Sequence, residues 1–186
     1  MINPLEPHSS PNLSNYQIAV LVPCRNEGLT IGKVVSDFQK TLPEATIYVY
    51  NNRSTDDTVE QALKAGANVG HELQPGKGNV VRRMFADIEA DLYILIDGDD
   101  TYEIKAIRRL IERVLVERLD MVVGTRRPAS NTPEAYRPGH KAGNVFLTGF
   151  VKFLFGARLM DMLSGYRVLS RRFVKSFPAL SNGFEI

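Results

Sequence analysis

Apolar and polar positions along the chain fall into blocks of two kinds. Gln17 to Pro23 is almost wholly apolar and ends at a proline, as a strand buried on both faces would. Leu29 to Leu42 instead puts Ile31, Val34, Val35, Phe38 and Leu42 at helical spacing and stops before Pro43. Thr46 to Tyr50 is β-branched and aromatic, hence a second strand. Asp56 and Asp57 open a second helix, for which Gly66 is a C-cap candidate. Asn68 to Glu72 reads as a short strand, and Pro75-Gly76-Lys77-Gly78 as a turn into a helix over Asn79 to Glu89. The apolar run Leu92 to Ile96, a helix from Glu103 to Arg118 and a strand from Asp120 to Gly124 complete the series. Beyond the polar, proline-rich stretch Arg126 to Pro138, the pattern predicts a helix over Gly139 to Gly156 and a strand over Tyr166 to Ser170. Strands alternating with helices predict an α/β fold with a mostly parallel central sheet, right-handed crossovers and helices on both faces.

Composition narrows this picture without redirecting it. The chain has 186 residues, 44% hydrophobic and 24% charged, which suits one soluble domain with a substantial core. A net charge of +2 argues for no nucleic-acid partner. Basic residues gather in Arg126 to Lys141 and Arg158 to Lys175, which leaves room for a local anion site. The one cysteine, Cys24, excludes an internal disulfide and points to a reducing, cytoplasmic setting. No run approaches the roughly 20 apolar residues that span a bilayer. Residues 1–16, rich in Pro, Ser and Asn, are expected to be a disordered leader, and residues 17–186 the folded domain. The abrupt end at Phe184-Glu185-Ile186 is expected of a domain cut short within a longer polypeptide.

The chemistry gathers at strand ends. Leu92 to Ile96 breaks into Asp97-Gly98-Asp99-Asp100, at the carboxyl end of a strand, where open α/β sheets bind ligands. Carboxylates so close repel one another unless a cation holds them, and Mg²⁺ or Mn²⁺ shared with substrate phosphates is the natural candidate. The competing reading is a solvated Asp-Gly turn. Pro23-Cys24-Arg25-Asn26-Glu27 ends the first strand and suits a nucleotide, or simply caps the next helix. Asn51-Asn52-Arg53-Ser54 ends the second and suits a base or ribose, or again a helix cap. Lys77 between two glycines suits a phosphate, although the spacing is not that of a Walker A loop. Gly124-Thr125-Arg126 offers an arginine to phosphate, and Asp161 with Arg167 forms either a functional pair or a structural salt bridge. Val145, Phe146, Phe150, Phe153, Leu154 and Phe155 read as core in preference to a membrane-facing surface.

Taken in order, Val-Pro-Cys-Arg-Asn-Glu, Ser-Thr-Asp-Asp-Thr, Gly-Lys-Gly, Asp97-Gly98-Asp99, Gly-Thr-Arg and Ser-Gly-Tyr-Arg resemble a family-2 glycosyltransferase with the GT-A nucleotide-sugar-binding fold. Within that family the chain is most similar to polyprenyl-phosphate sugar transferases of the dolichol-phosphate mannosyltransferase type. The resemblance covers Gln17 to Ile186. It implies an inverting, metal-dependent hexosyltransferase that takes a UDP- or GDP-sugar to a lipid phosphate. Such an enzyme would sit peripherally at the cytoplasmic membrane face, with a homodimer left open. The resemblance assigns Pro23, Asn26, Glu27, Asn51 and Asn52 to the nucleoside. It gives Lys77, Gly98, Arg126 and Arg137 to the donor, Asp97 and Asp99 to the cation, and Arg167 to the acceptor phosphate. Asp99 and Asp161 join Arg167 as catalytic candidates, Asp161 as base or orienter. Asn51 departs from the usual aspartate, which removes a charge from the nucleotide site. A saccharide hydroxyl as acceptor, or nucleotide binding without turnover, are the alternatives.

Overall fold

The computed structural model describes residues 11–124 and 164–176. Its centre is β1 (Ile18–Cys24), an apolar strand with all seven residues buried. β1 lies between β2 (Ala45–Asn51) and β4 (Leu92–Leu95), parallel to both, with Cys24 opposite Asn51 and Leu21 opposite Leu95. β3 (Asn68–His71) continues the parallel sheet beyond β2. On the other side stand β6 (Arg167–Ser170) and β5 (Met121–Val123), giving the order β3-β2-β1-β4-β6-β5.

Because side chains alternate across a strand, β1 and β4 feed two cores. Val20, Val22, Ile94 and Ile96 pack with Ile31, Val34, Val35 and Phe38 of α1 (Gly28–Thr41) and with Ile107 and Ile111 of α4 (Ile107–Val116). Ala62 of α2 (Thr58–Lys64) joins that face. Ala19, Leu21, Tyr93 and Leu95 face Val80, Val81 and Met84 of α3 (Lys77–Asp87) and Val174 of α5 (Arg171–Ser176). The expected α/β sheet with helices on both faces is therefore present.

The pattern leaves the direction of β6 open, and three further details differ from the expectation. β6 runs antiparallel to both neighbours, because the chain enters it through Ser164-Gly165 at the edge where β4 ends. α3 begins two residues early, at Lys77, because Gly76 takes the turn with φ 120° and leaves Lys77 as the first helical residue. The helix expected from Glu103 is a 3-10 turn, Ile104–Ala106, before α4 begins at Ile107. Inside the expected leader, Leu13–Asn15 form a 3-10 turn capped by Asn12, and Leu13 is buried in the core, so that apolar side chain orders the segment. The expected helix over Gly139 to Gly156 lies outside the described residues. Among the described residues no helix is long and apolar enough to cross a membrane.

Candidate active site

The carboxyl ends of β1, β2, β3, β4 and β5 and the start of β6 share one edge of the sheet. The first two turns there are locked together. Asn26, in the left-handed region at φ 58°, accepts from the Thr55 N–H through Oδ1 at 2.8 Å and donates its own N–H to Ser54 Oγ at 2.9 Å. The Glu27 and Gly28 N–H groups, orphaned at the start of α1, donate to Thr58 Oγ1 at 2.8 Å and Asp56 Oδ2 at 3.0 Å. Asp56 also accepts from the Thr58 N–H at 3.1 Å and so serves the starts of two helices. A cap supplied by Asn26 or Glu27 was the simpler expectation, and the structure takes it from the neighbouring turn instead.

Asn51 closes its own turn. Its Oδ1 accepts from the Ser54 N–H at 2.9 Å, the bond an aspartate would make there. Asn52 is buried and reaches across to the β3–α3 loop. Its amide nitrogen donates to the Glu72 and Gln74 carbonyls, both at 2.8 Å, and its Oδ1 accepts from the Gly76 N–H at 2.9 Å. Both amide hydrogens are thus committed to loop backbone, and Asn52 positions the Gly76-Lys77 segment.

Asp97 is the hub of the edge. Its Oδ1 takes an ion pair from Lys77, and its Oδ2 lies 3.5 Å from the Tyr102 hydroxyl. That hydroxyl accepts from the Gly165 N–H at 2.8 Å. A Cβ on Gly165 would stand 2.3 Å from Asp97 Oδ2, so only glycine lets this backbone approach the carboxylate. Gly98 is held likewise: a Cβ there would meet Glu27 Oε2 at 2.3 Å and Cys24 Sγ at 2.8 Å, and its carbonyl accepts from the Thr30 hydroxyl at 2.6 Å. Asp99 accepts from the Thr101 N–H and hydroxyl through one oxygen and lines the cleft. Asp100, at φ 58°, turns away to pair with Lys33 at 2.8 Å. Of the three acids, Asp97 and Asp99 line the cleft and Asp100 does not.

Burial raises the Glu27 carboxyl to about 7. The Cys24 hydrogen bond opposes that rise, the Asp99 and Asp97 charges add to it, and Lys77 offsets part of it. Glu27 Oε2 is buried with no hydrogen-bond partner among the described residues. Burial also pushes the Cys24 thiol up, with Glu27 adding to the effect, which leaves it a poor nucleophile. Arg167 is lowered by burial, opposed by Asp97 and Tyr102, and its Nε donates to the Ser164 carbonyl at 3.1 Å.

Some of these groups, but not Arg167, Tyr102 or Asp100, line a cleft of about 670 Å³, within the range of small-molecule sites. Pro23, Glu27, Asn52, Lys77, Asp97 and Asp99 line it, while Asn26, Asn51 and Gly98 lie outside the lining, in the turns that carry these residues. Arg126, Arg137 and Asp161 lie outside the described residues. Sequence reasoning missed Tyr102, Thr30 and the constraint on Gly165, since each acts through a contact distant in sequence.

The donor set can be tested against a divalent cation. Among the described residues no three His, Cys, Asp or Glu side chains gather to hold an ion. Asp97 and Asp99 line the same cleft and offer hard carboxylate oxygens there. That fits Mg²⁺ or Mn²⁺, which keep waters and take their remaining ligands from substrate phosphates.

Residues 19–177 match the family described as glycosyl transferase family 2. The chain belongs to that family. Protein RfbJ of Shigella flexneri is 46% identical over 127 residues, 68% of this chain and 98% of RfbJ. Glycosyltransferase AglJ of Haloferax volcanii is 35% identical over 170 residues, 91% of this chain and 55% of AglJ. A dolichyl-phosphate hexose transferase of the same archaeon is 28% identical over 167 residues, 89% of this chain and 71% of that protein. The chain thus spans about half the length of AglJ. Among solved structures, glucosyl-3-phosphoglycerate synthase of Mycobacterium tuberculosis, in complex with Mn²⁺, UDP-glucose and phosphoglyceric acid, superposes with a TM-score of 0.73 at 23% identity. That match covers 92% of this chain and 62% of the synthase, and it establishes the GT-A fold of this family-2 chain.

Proposed function

We propose that this chain carries out inverting transfer of a sugar from a nucleoside-diphosphate sugar to a polyprenyl phosphate. The observation that carries this reading is the meeting of Asp97, Asp99 and Lys77 in one cleft. A site for two anionic substrates needs acids for a cation and bases for phosphates, and this edge has both. The relative named a dolichyl-phosphate hexose transferase supports the lipid-phosphate acceptor.

In this reading Pro23, Asn26, Glu27 and Asn51 contact the nucleoside, while Asn52 fixes the loop that brings Lys77 to the diphosphate. Asp97 and Asp99 would hold Mg²⁺ or Mn²⁺, which supplies charge stabilisation for the departing diphosphate. Tyr102 and the Gly165 backbone fix the orientation of the Asp97 carboxylate. Arg167, with Arg126 and Arg137, receives phosphate charge. A phosphate monoester has a second pKa of about 6, so the acceptor is already largely dianionic at neutral pH. Catalysis then rests on positioning two anions that repel each other, and a strong general base is not required. Asp161 is the base or orienter if the acceptor is a hydroxyl. The enzyme would work peripherally at the cytoplasmic membrane face.

The test is product formation. The purified protein is incubated with Mn²⁺ or Mg²⁺, a panel of UDP- and GDP-sugars and undecaprenyl or dolichyl phosphate, and the lipid fraction is examined by mass spectrometry. A glycosyl-phosphoprenol is the expected product. Transfer to saccharide hydroxyls alone would overturn the acceptor, and nucleotide binding without any transfer would overturn turnover.

A further inference from the structure

We infer that Lys77 is a built-in counter-ion which holds Asp97 until the donor's diphosphate draws it away, so that divalent cation and donor each favour the other's entry into this site. The inference deepens the reading of the site as a metal-assisted sugar-nucleotide site and rests on it.

The ion pair joins residues twenty apart in sequence, the first residue of α3 and one in the turn that follows β4. Its side chains are 19% and 22% exposed, whereas Lys64–Glu60 at the surface has 64% and 63%. Screening by water is correspondingly weaker, and an unpaired Asp97 would be costly. The pair occupies Oδ1, and the other oxygen faces Tyr102 and is crowded by Gly165. A cation that takes Oδ1 must therefore displace an ammonium group already there.

Lys77 is built for such an exchange. Its backbone is fixed by Gly76, which Asn52 pins, and by the buried Gly78. Its four-carbon stem is flexible and carries a compact point charge. The loop is anchored while the ammonium group can swing. The cleft also carries Asp99 and Glu27, so with Lys77 gone and no cation present, carboxylates would face one another without compensation. A diphosphate reverses that balance, because it competes for Lys77 and supplies further oxygen ligands to the cation. Metal and donor are then linked reciprocally: each tightens the other by the same factor.

The experiment is a set of Mn²⁺ titrations of the full chain, read from the free-Mn²⁺ electron paramagnetic resonance signal, with and without UDP. Wild type is compared with Lys77→Met and Lys77→Gln, each checked for folding by circular dichroism. Both variants are expected to bind Mn²⁺ alone about tenfold tighter than wild type and UDP alone more weakly. The factor by which UDP tightens Mn²⁺ should shrink by a similar amount. If wild type binds Mn²⁺ in the presence of UDP, but neither substitution tightens binding of Mn²⁺ alone, the counter-ion role is overturned and the metal–donor site stands. If wild type takes up Mn²⁺ neither alone nor with UDP, the site reading falls and this inference with it.

Discussion

Replacing Asn52 with alanine separates a loop anchor from a nucleotide ligand. The side chain makes three hydrogen bonds to backbone, to the Glu72 and Gln74 carbonyls and from the Gly76 N–H. It is 5% exposed. A typical internal hydrogen bond contributes about 1 kcal/mol net, and leaving buried partners unsatisfied costs more. Water can reach Gln74 at the loop surface, which recovers part of the loss. Asn52→Ala should therefore destabilise the fold by about 2–3 kcal/mol. For a domain of this size that is a fall of about 4–12 °C in thermal midpoint. Asn52→Asp should do no better, because it keeps an acceptor for Gly76 but turns a negative charge toward two carbonyls. Urea denaturation without nucleotide measures the effect, and UDP titration then measures how far the misplaced Lys77 weakens binding. A variant within 0.5 kcal/mol of wild type in urea, yet defective in UDP binding, would show Asn52 to be a ligand and refute the anchoring argument.

Three further outcomes follow from the same geometry. Gly165→Ala places a methyl group 2.3 Å from Asp97 Oδ2, so it should weaken Mn²⁺-dependent UDP binding by about tenfold or more; unchanged binding by calorimetry would mean that the β6 entry shifts freely. Asp97→Asn and Asp99→Asn should each abolish the Mn²⁺ dependence of UDP binding, and retention of that dependence in both would remove the metal assignment. The folded-state pKa of Glu27, about 7, lies above its ordinary value of 4.5, so the native state holds a proton that the unfolded chain has lost. The contribution of Glu27 to stability should then be fully present below about 4.5 and be lost as pH rises through about 7. Glu27→Gln should flatten that decline in thermal melts with EDTA present, and an equally steep profile in the variant would place the proton elsewhere.

How much of this was legible in the sequence depends on the reach of each interaction. The two apolar runs that became β1 and β4 read correctly because burial on both faces leaves no polar position to confuse the pattern. α1 read correctly because one face alone is buried, at Ile31, Val34, Val35 and Phe38. Since parallel strands bring their carboxyl ends to one edge, the turn residues after β1, β2 and β4 were bound to meet, and that placed Glu27, Asn52, Asp97 and Asp99 around one cleft. What the pattern could not carry was the division of labour within that edge. Asn51 and Asn52 are the same residue type, adjacent in sequence, yet one closes its own turn three residues on and the other ties down a loop 20 to 24 residues away. Strand alternation sends their side chains to different surroundings, and only the position of the β3–α3 loop decides what Asn52 meets. The direction of β6 was hidden for the same reason, since a short apolar strand carries no mark of parallel or antiparallel pairing. Yet that direction is what brings Gly165 against Asp97 and gives Tyr102 a backbone N–H to accept. A reversed β6 would have put Ser170 at this edge and left the carboxylate without its wall. The strand whose orientation the sequence leaves open is therefore the one on which the geometry of the acid pair depends.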